Sequence, residues 1–314
     1  GVTTGDGLSG SAIREVAVDR DGTVWVATAA GLARYDGRGW QTFDARGLRA
    51  ELPSDNVLAL TVDRANRLWA GTDAGLARLE RGRWRTYTTA DGLPDPTVTT
   101  LAVSADDLLW LATPAGLART DGLTFDTYLP GADATGIVEG LSYNALAPLP
   151  DGTVAVALGG DLPYLLYFNP AAGRSKTVAP PQSVGAAITS LLIDVSGRLW
   201  AGAGDSVWRV DDPGETMLVG PSDLPAANVN DMVFAGNALW AATPSGVARF
   251  DGRWQWFNAA DGLGDNAVSA LAEAPDGSVW AAFDTPLRGL SRYADGGWRT
   301  LTCPTAAPTG ARVL

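Results

Sequence analysis

The side chains best suited to chemistry in this sequence are carboxylates and carboxamides standing just ahead of short apolar runs. They are Asp55 and Asn56, Asp95, Tyr143 and Asn144, Asn228, Asn230 and Asp231, and Asp265 and Asn266. Converging carboxylates shift one another's proton affinity, so a pair drawn from Asp55, Asp95, Asp231 and Asp265 could exchange protons in an acid–base reaction. Nothing in the sequence selects such a pair. Asx side chains also cap turns by accepting hydrogen bonds from nearby backbone, so local structure alone explains the same residues. The chain has no histidine, which removes the commonest general base and a common metal ligand. Its single cysteine, Cys303, allows no intrachain disulfide and no Cys/His zinc site. No metal and no cofactor are expected. Gly159-Gly160-Asp161 and Gly202-Ala203-Gly204-Asp205 are not phosphate loops, because no helix and no Lys-Ser/Thr follows either.

The elements that must position these residues come from an internal repeat. Val24-Trp25, Leu68-Trp69, Leu109-Trp110, Leu199-Trp200, Leu239-Trp240 and Val279-Trp280 each precede small residues, and in most repeats a Gly and an apolar-basic run follow. Midway through the double gap, Asp151-Gly152-Thr153-Val154-Ala155-Val156 repeats the phrase with Ala155 in the Trp position. Seven repeats result, centred on residues 25, 69, 110, 155, 200, 240 and 280. Within one repeat the runs are short and alternating, as in Leu58–Val62, Leu68–Thr72, Gly75–Leu79 and Trp84–Thr88, which predicts four strands. Asp21-Gly22, Asp151-Gly152 and Asp276-Gly277 separate strands one and two, and Asp36-Gly37, Asp121-Gly122 and Asp251-Gly252 separate strands three and four. Such pairs supply the positive φ of tight hairpins. A four-stranded unit of about 42 residues cannot cover both its faces alone, and radial repetition is the solution for units of that length. The prediction is an all-β chain: one seven-bladed β-propeller over 1–314, four antiparallel strands per blade, with scarce helix.

The six repeated Trp residues are expected to wedge between blades. Each would hide roughly 150–250 Å², worth at most about 4–6 kcal/mol. Trp40, Trp84, Phe125, Trp254 and Trp298 recur on the fourth strand and are also read as packing, with sugar stacking as the alternative. Ala155 should mark the least regular blade, with Tyr164, Tyr167 and Phe168 filling the missing volume. Blade four also carries the longest loops, Leu129–Ser142 and Gly159–Tyr164, where recognition could be built. At the ring closure, Trp298–Thr302 should take the edge of blade seven, leaving Val2–Thr4 as the remnant of a linker. Closure would then rest on side-chain packing.

The block Asp63–Leu79, with Leu68-Trp69-Ala70-Gly71-Thr72 and Gly75-Leu76-Ala77-Arg78, resembles the two-component regulator propeller repeat. Asp91-Gly92-Leu93-Pro94 and Asp261-Gly262-Leu263-Gly264-Asp265-Asn266-Ala267-Val268 resemble its linker between blades. The likeness runs over about residues 5 to 302. It implies an extracytoplasmic sensor propeller of the kind found in bacterial hybrid histidine kinases, with a fused or associated signalling protein as partner. A kinase, a transmembrane segment and an immunoglobulin-like domain, which accompany such propellers, are not in this sequence. More distantly, the blades are similar to streptogramin-lyase-type propellers, whose chemistry is thought to need a histidine.

Composition bounds the partners. Lys and Arg total 23 against 35 Asp and Glu, a formal charge of −12, which argues against nucleic acid. No run of about 18 apolar residues offers a membrane span, and the first residue is Gly1 rather than Met, as in a processed chain or an excised piece. In a propeller, the loops from strand four to the next strand one and those between strands two and three gather at one end of the axis. The ten residues named above are read from those loops. The leading expectation is non-catalytic binding of a small polar ligand, uncharged or cationic, at that face. A protein-interaction scaffold and a histidine-free lyase are the alternatives.

Overall fold

The computed structural model describes residues 13–45, 51–129, 142–159, 164–179, 187–212, 215–218, 228–283 and 289–301. Its strands form seven separate four-stranded antiparallel sheets, each in simple sequential order. The blades run Ile13–Phe43, Val57–Tyr87, Thr100–Tyr128, Tyr143–Val178, Ile188–Leu218, Asp231–Phe257 and Val268–Leu301. The first strands of neighbouring blades pack on one another, which places them around the axis. Helix among the described residues is limited to two single 3-10 turns, Thr89–Asp91 and Ala259–Asp261. These turns are the Asp-Gly-Leu linkers. Thr88 and Asn258 cap them, Asp91 and Asp261 bond back, and Gly92 and Gly262 leave at φ 108° and 103°.

The Trp phrase does what its recurrence predicted. The six Trp residues are buried, and each lies in an apolar cluster shared with the following blade. Trp25 packs with Val57 and Leu60 of blade two, Trp69 with Leu101 and Leu109 of blade three, and Trp110 with Leu146 and Val154 of blade four. Trp200 packs with Met232 and Leu239, Trp240 with Leu271 and Val279, and Trp280 with Val16 and Val24 of blade one. The basic residue that ends the phrase is explained by register. Arg34, Arg78, Arg119, Arg209, Arg249 and Arg292 each pair across the hairpin with the Trp of their own blade. Their guanidinium carbons lie 5.4–5.9 Å from the indole centroids, within cation–π range. The fourth-strand aromatics Trp40, Trp84, Phe125, Trp254 and Trp298 join the same clusters.

The glycine that opens strand three is fixed by a close approach. Gly75 has φ +142°, and a Cβ there would sit 2.6 Å from the Tyr87 carbonyl oxygen. The preceding Thr72 Oγ1 donates to the Gly75 carbonyl at 2.8 Å. The same Thr–Gly pair recurs at Thr28 and Gly31, Thr113 and Gly116, and Thr243 and Gly246.

Blade four is regular in backbone, with Val154–Leu158 buried throughout and paired on both sides. Its adaptation lies in side chains. Tyr167 takes the position opposite Ala155 that Arg takes elsewhere, and it shares Ala155's cluster as expected. Tyr164 and Phe168 pack instead on the other face, with Trp110. The bulk that replaces the missing indole comes from blade five: Trp208, fully buried in the cluster of Ala155, stands where blades one, two, three and six have Ala.

Blade seven owns a complete set of strands, since Gly297–Leu301 pairs with Leu290–Ala294 as its outer edge. Val2–Thr4 lie outside the described residues, as do Cys303 and most of both blade-four loops. Blades seven and one meet through the cluster of Trp280, Ala272 and Leu290 with Val16, Val24 and Ala33.

Candidate ligand site

Five of the ten sequence-predicted residues are engaged in building the linkers. Asp95 Oδ1 accepts from the backbone N–H of Thr97 at 2.8 Å, and Asp265 Oδ1 from those of Asn266 and Ala267. One position further on, Asp55 Oδ1 accepts from Ala45 N–H at 2.7 Å and Asn266 Oδ1 from Ala259 N–H at 2.8 Å. Asn56 Nδ2 donates to Asp73 Oδ2 at 2.8 Å, joining the linker to the turn between strands two and three. That bond places both kinds of loop at the same end of the axis. The Asp73 carboxyl is held below the usual range by the Ser54 hydroxyl, with Asn56 adding to the effect.

Asn144 and Asn230 tie blades together. Asn144 Nδ2 donates to the Ile188 carbonyl at 3.0 Å and Asn230 Nδ2 to the Val268 carbonyl at 2.7 Å, each on the first strand of the next blade. Tyr143 lies in the core between blades three and four, where burial pushes its phenol up. Its position in the strand is aliphatic in other blades, such as Val57, Ile188 and Val268. Asn228 is exposed at the start of its segment.

Asp231 differs from these, and the structure gives it a companion that sequence reasoning missed. Register aligns Glu15, Ala59, Thr100, Ala145, Ser190, Asp231 and Ala270 at one level of the seven first strands. Five of these residues are small and two are acids. The inner edge of a first strand has no ladder partner, and an unpaired backbone N–H needs an acceptor. Glu15 Oε2 accepts from Leu60 N–H of blade two at 2.7 Å, and Asp231 Oδ2 accepts from Leu271 N–H of blade seven at 2.8 Å. Met232 N–H at 2.7 Å and the Ser190 hydroxyl at 3.4 Å approach Asp231 Oδ1. Comparing the column at this register would have exposed Glu15, because only two of its seven members are ionisable.

Enclosure dominates the electrostatics of both acids. Burial pushes Glu15 up to about 8; the Leu60 N–H works against the rise and the Asp231 charge adds to it. Burial likewise pushes Asp231 up to about 6, against the hydrogen bonds from Leu271, Met232 and Ser190. Each residue as a whole is half-buried, and its carboxyl is crowded by protein. Among the described residues no cationic side chain pairs with either, and no cluster of three metal-ligating side chains occurs. The arrangement offers a hydrogen-bond donor while protonated and an uncompensated negative charge once ionised.

Comparison with known proteins supports the architecture. The Two component regulator propeller family matches residues 7–30 and 51–74. No curated protein sequence matches the chain. The extracellular domain of BT3049 from B. thetaiotaomicron, described as part of a hybrid two component system, superposes with TM-score 0.77 at 16% identity. The match covers 93% of this chain and 41% of that one, so the chain spans about two fifths of that domain. A streptogramin B lyase superposes with TM-score 0.70 at 16% identity, covering 96% of this chain and 98% of the lyase. Virginiamycin B lyase from Staphylococcus aureus, in a catalytically inactive histidine-to-alanine form with quinupristin, gives TM-score 0.67 at 14% identity, covering 87% and 92%. Among the described residues no helix is long and apolar enough to cross a membrane. The chain is a seven-bladed β-propeller that carries two-component regulator propeller repeats.

Proposed function

We propose that the chain is a non-catalytic, ligand-binding propeller of the sensor kind, working outside the cytoplasm. Its ligand is a small polar molecule, uncharged or cationic, taken at the end of the axis where the first strands begin. The observation that carries this reading is the pair Glu15 and Asp231, two enclosed acids without a counter-charge in a ring of small residues. A bound cation or hydroxyl would relieve the cost of their enclosure. The likeness to an extracellular domain of a two component system supports the sensor role, and a fused or associated signalling protein would receive the signal. Thermal-shift screening of sugars, amino acids, small amines and divalent cations tests it. A ligand at 100 times its Kd stabilises by about 2.7 kcal/mol, and Glu15→Gln or Asp231→Asn should abolish the shift. A panel without any stabiliser, or a stabiliser indifferent to both substitutions, defeats the proposal.

One observation favours an enzyme as the second reading. Two acids at one level of the ring, at about 8 and about 6, are set apart in proton affinity as a general acid and base would be. The inactive lyase lost a histidine, and this chain has none, so the reaction would have to run on these carboxyls. Turnover of a lyase or glycoside panel that disappears in both variants would establish it.

A further inference from the structure

At the opposite end of the axis, turns join strands one and two, and the turns of blades one, two and three are tied to one another. Arg20 N–H donates to Asn66 Oδ1 at 2.8 Å and Asn66 Nδ2 to Asp21 Oδ2 at 3.3 Å, joining blades one and two. Arg64 N–H donates to Asp107 Oδ1 at 2.9 Å, joining blades two and three. Between blades seven and one, both halves of this bond are missing. The donor position is Pro275, which has no N–H, and the acceptor position is Gly22, which has no side chain. Blades four and five also oppose a Pro and a Gly, but there the Pro150 ring closes on Gly197, 3.1 Å from where a Cβ would stand. At Gly22 no heavy atom of the described residues lies within 4 Å of the equivalent point. A cleft of ≈ 640 Å³ opens, walled by Arg20, Tyr35, Trp280, Arg292, Arg299 and Leu301.

We propose that this cleft is a second binding site, for a small carboxylate-bearing ligand with a planar apolar body. The carboxylates along it are mostly engaged. Asp36 accepts from Arg38 and Gly39 N–H, Asp276 from Ser278 and Arg292, and Asp21 from Asn66. Asp295, exposed at the rim, is the exception. The guanidinium groups of Arg20 and Arg299 have no ion-pair partner among the described residues. A guanidinium presents paired N–H donors that fit a carboxylate. Half-buried Tyr35 supplies the surface for a flat ring, backed by the buried Trp280, which meets it edge to face with centroids 6.4 Å apart. The volume is that of a small-ligand cleft. Glu15 and Asp231 do not line it, so it stands or falls independently of the axial site.

Saturation-transfer NMR on the whole chain, with benzoate and its neutral analogue benzamide as probes, tests the site. Benzoate should bind at least fivefold more tightly than benzamide. Arg20→Gln and Arg299→Gln, both at exposed positions, should each weaken benzoate at least fivefold without lowering Tm. Gly22→Asn combined with Pro275→Ala restores the donor and acceptor of the turn tie and should also weaken benzoate, while Tm holds or rises. Glu15→Gln should leave it unchanged. The proposal is overturned if benzoate fails to bind, binds no better than benzamide, ignores both arginine variants, or is lost on Glu15→Gln.

Discussion

Glu15 and Asp231 hold protons more tightly than free carboxyls because enclosure among the first strands penalises their charge and no cation stands beside them. A folded-state affinity raised above the unfolded value gives stability that is present below the unfolded range and is lost as pH rises through the folded value. For Glu15 that window runs from about 4.5 to about 8. Glu15→Gln, which keeps an oxygen for Leu60 N–H, should therefore stabilise the protein by roughly 1–3 kcal/mol at pH 8 and hardly at all at pH 4.5. Urea titrations at the two pH values measure the difference, and an equal effect at both would count against a raised proton affinity at Glu15. Buried Asp63 has the partners those two acids lack: it accepts from the Trp69 indole at 2.7 Å, from Ala65 and Arg67 N–H, and from the Arg67 guanidinium. Asp63→Ala would orphan these donors and should cost roughly 2–4 kcal/mol. Asp265→Ala, which removes one turn cap at the surface, should cost about 1 kcal/mol or less by the same urea titration.

A blade is a hairpin pair whose second strand carries the wedge, and blade four shows how the element tolerates losing it. Ala155 has lost the indole, Tyr167 has replaced the Arg opposite, and Trp208 enters the same cluster from the third strand of blade five. A buried Trp→Ala change costs roughly 3–5 kcal/mol, so Trp208→Ala should destabilise as much as Trp200→Ala. Ala155→Trp alone should overpack the cluster by roughly 1–3 kcal/mol, and Trp208→Ala in the same chain should relieve part of that. A double-mutant cycle by chemical denaturation measures the coupling. Strict additivity would mean that the two positions do not share one volume.

Among the described residues, the molecule closes into a ring through side chains. Blade seven supplies all four of its own strands, and blades one and seven meet at the cluster around Trp280. That interface lacks the turn tie found between blades one, two and three. Trp280→Ala should thus open the ring at this seam before anywhere else. Amide exchange should speed up in Ile13–Val18 and Gly297–Leu301 while Thr100–Val103 in blade three stays protected. Uniform loss of protection would point to a ring that unfolds as one unit.

The blades were legible because each is local: the Trp phrase, the Asp-Gly turns and the linkers all sit within about forty residues, and their recurrence sets strand number and register. The roles of Asp95 and Asp265 were legible for the same reason, since an Asx cap needs only the next two backbone N–H groups. What lies between blades was not. Tyr143 reads as a polar loop residue until packing puts it in the core, and Glu15 reads as one surface acid among many. Glu15 lies 216 residues from Asp231, and the two acquire one environment only when seven first strands converge on an axis. Trp208 came to stand for the indole that Ala155 lacks in the same way, through a contact across blades. The sequence determined the blade and the count of blades because both follow from short-range periodicity. Proton affinities, cavity and seam were decided by the tertiary structure, because enclosure and the meeting of charges depend on distances in space that sequence separation does not carry.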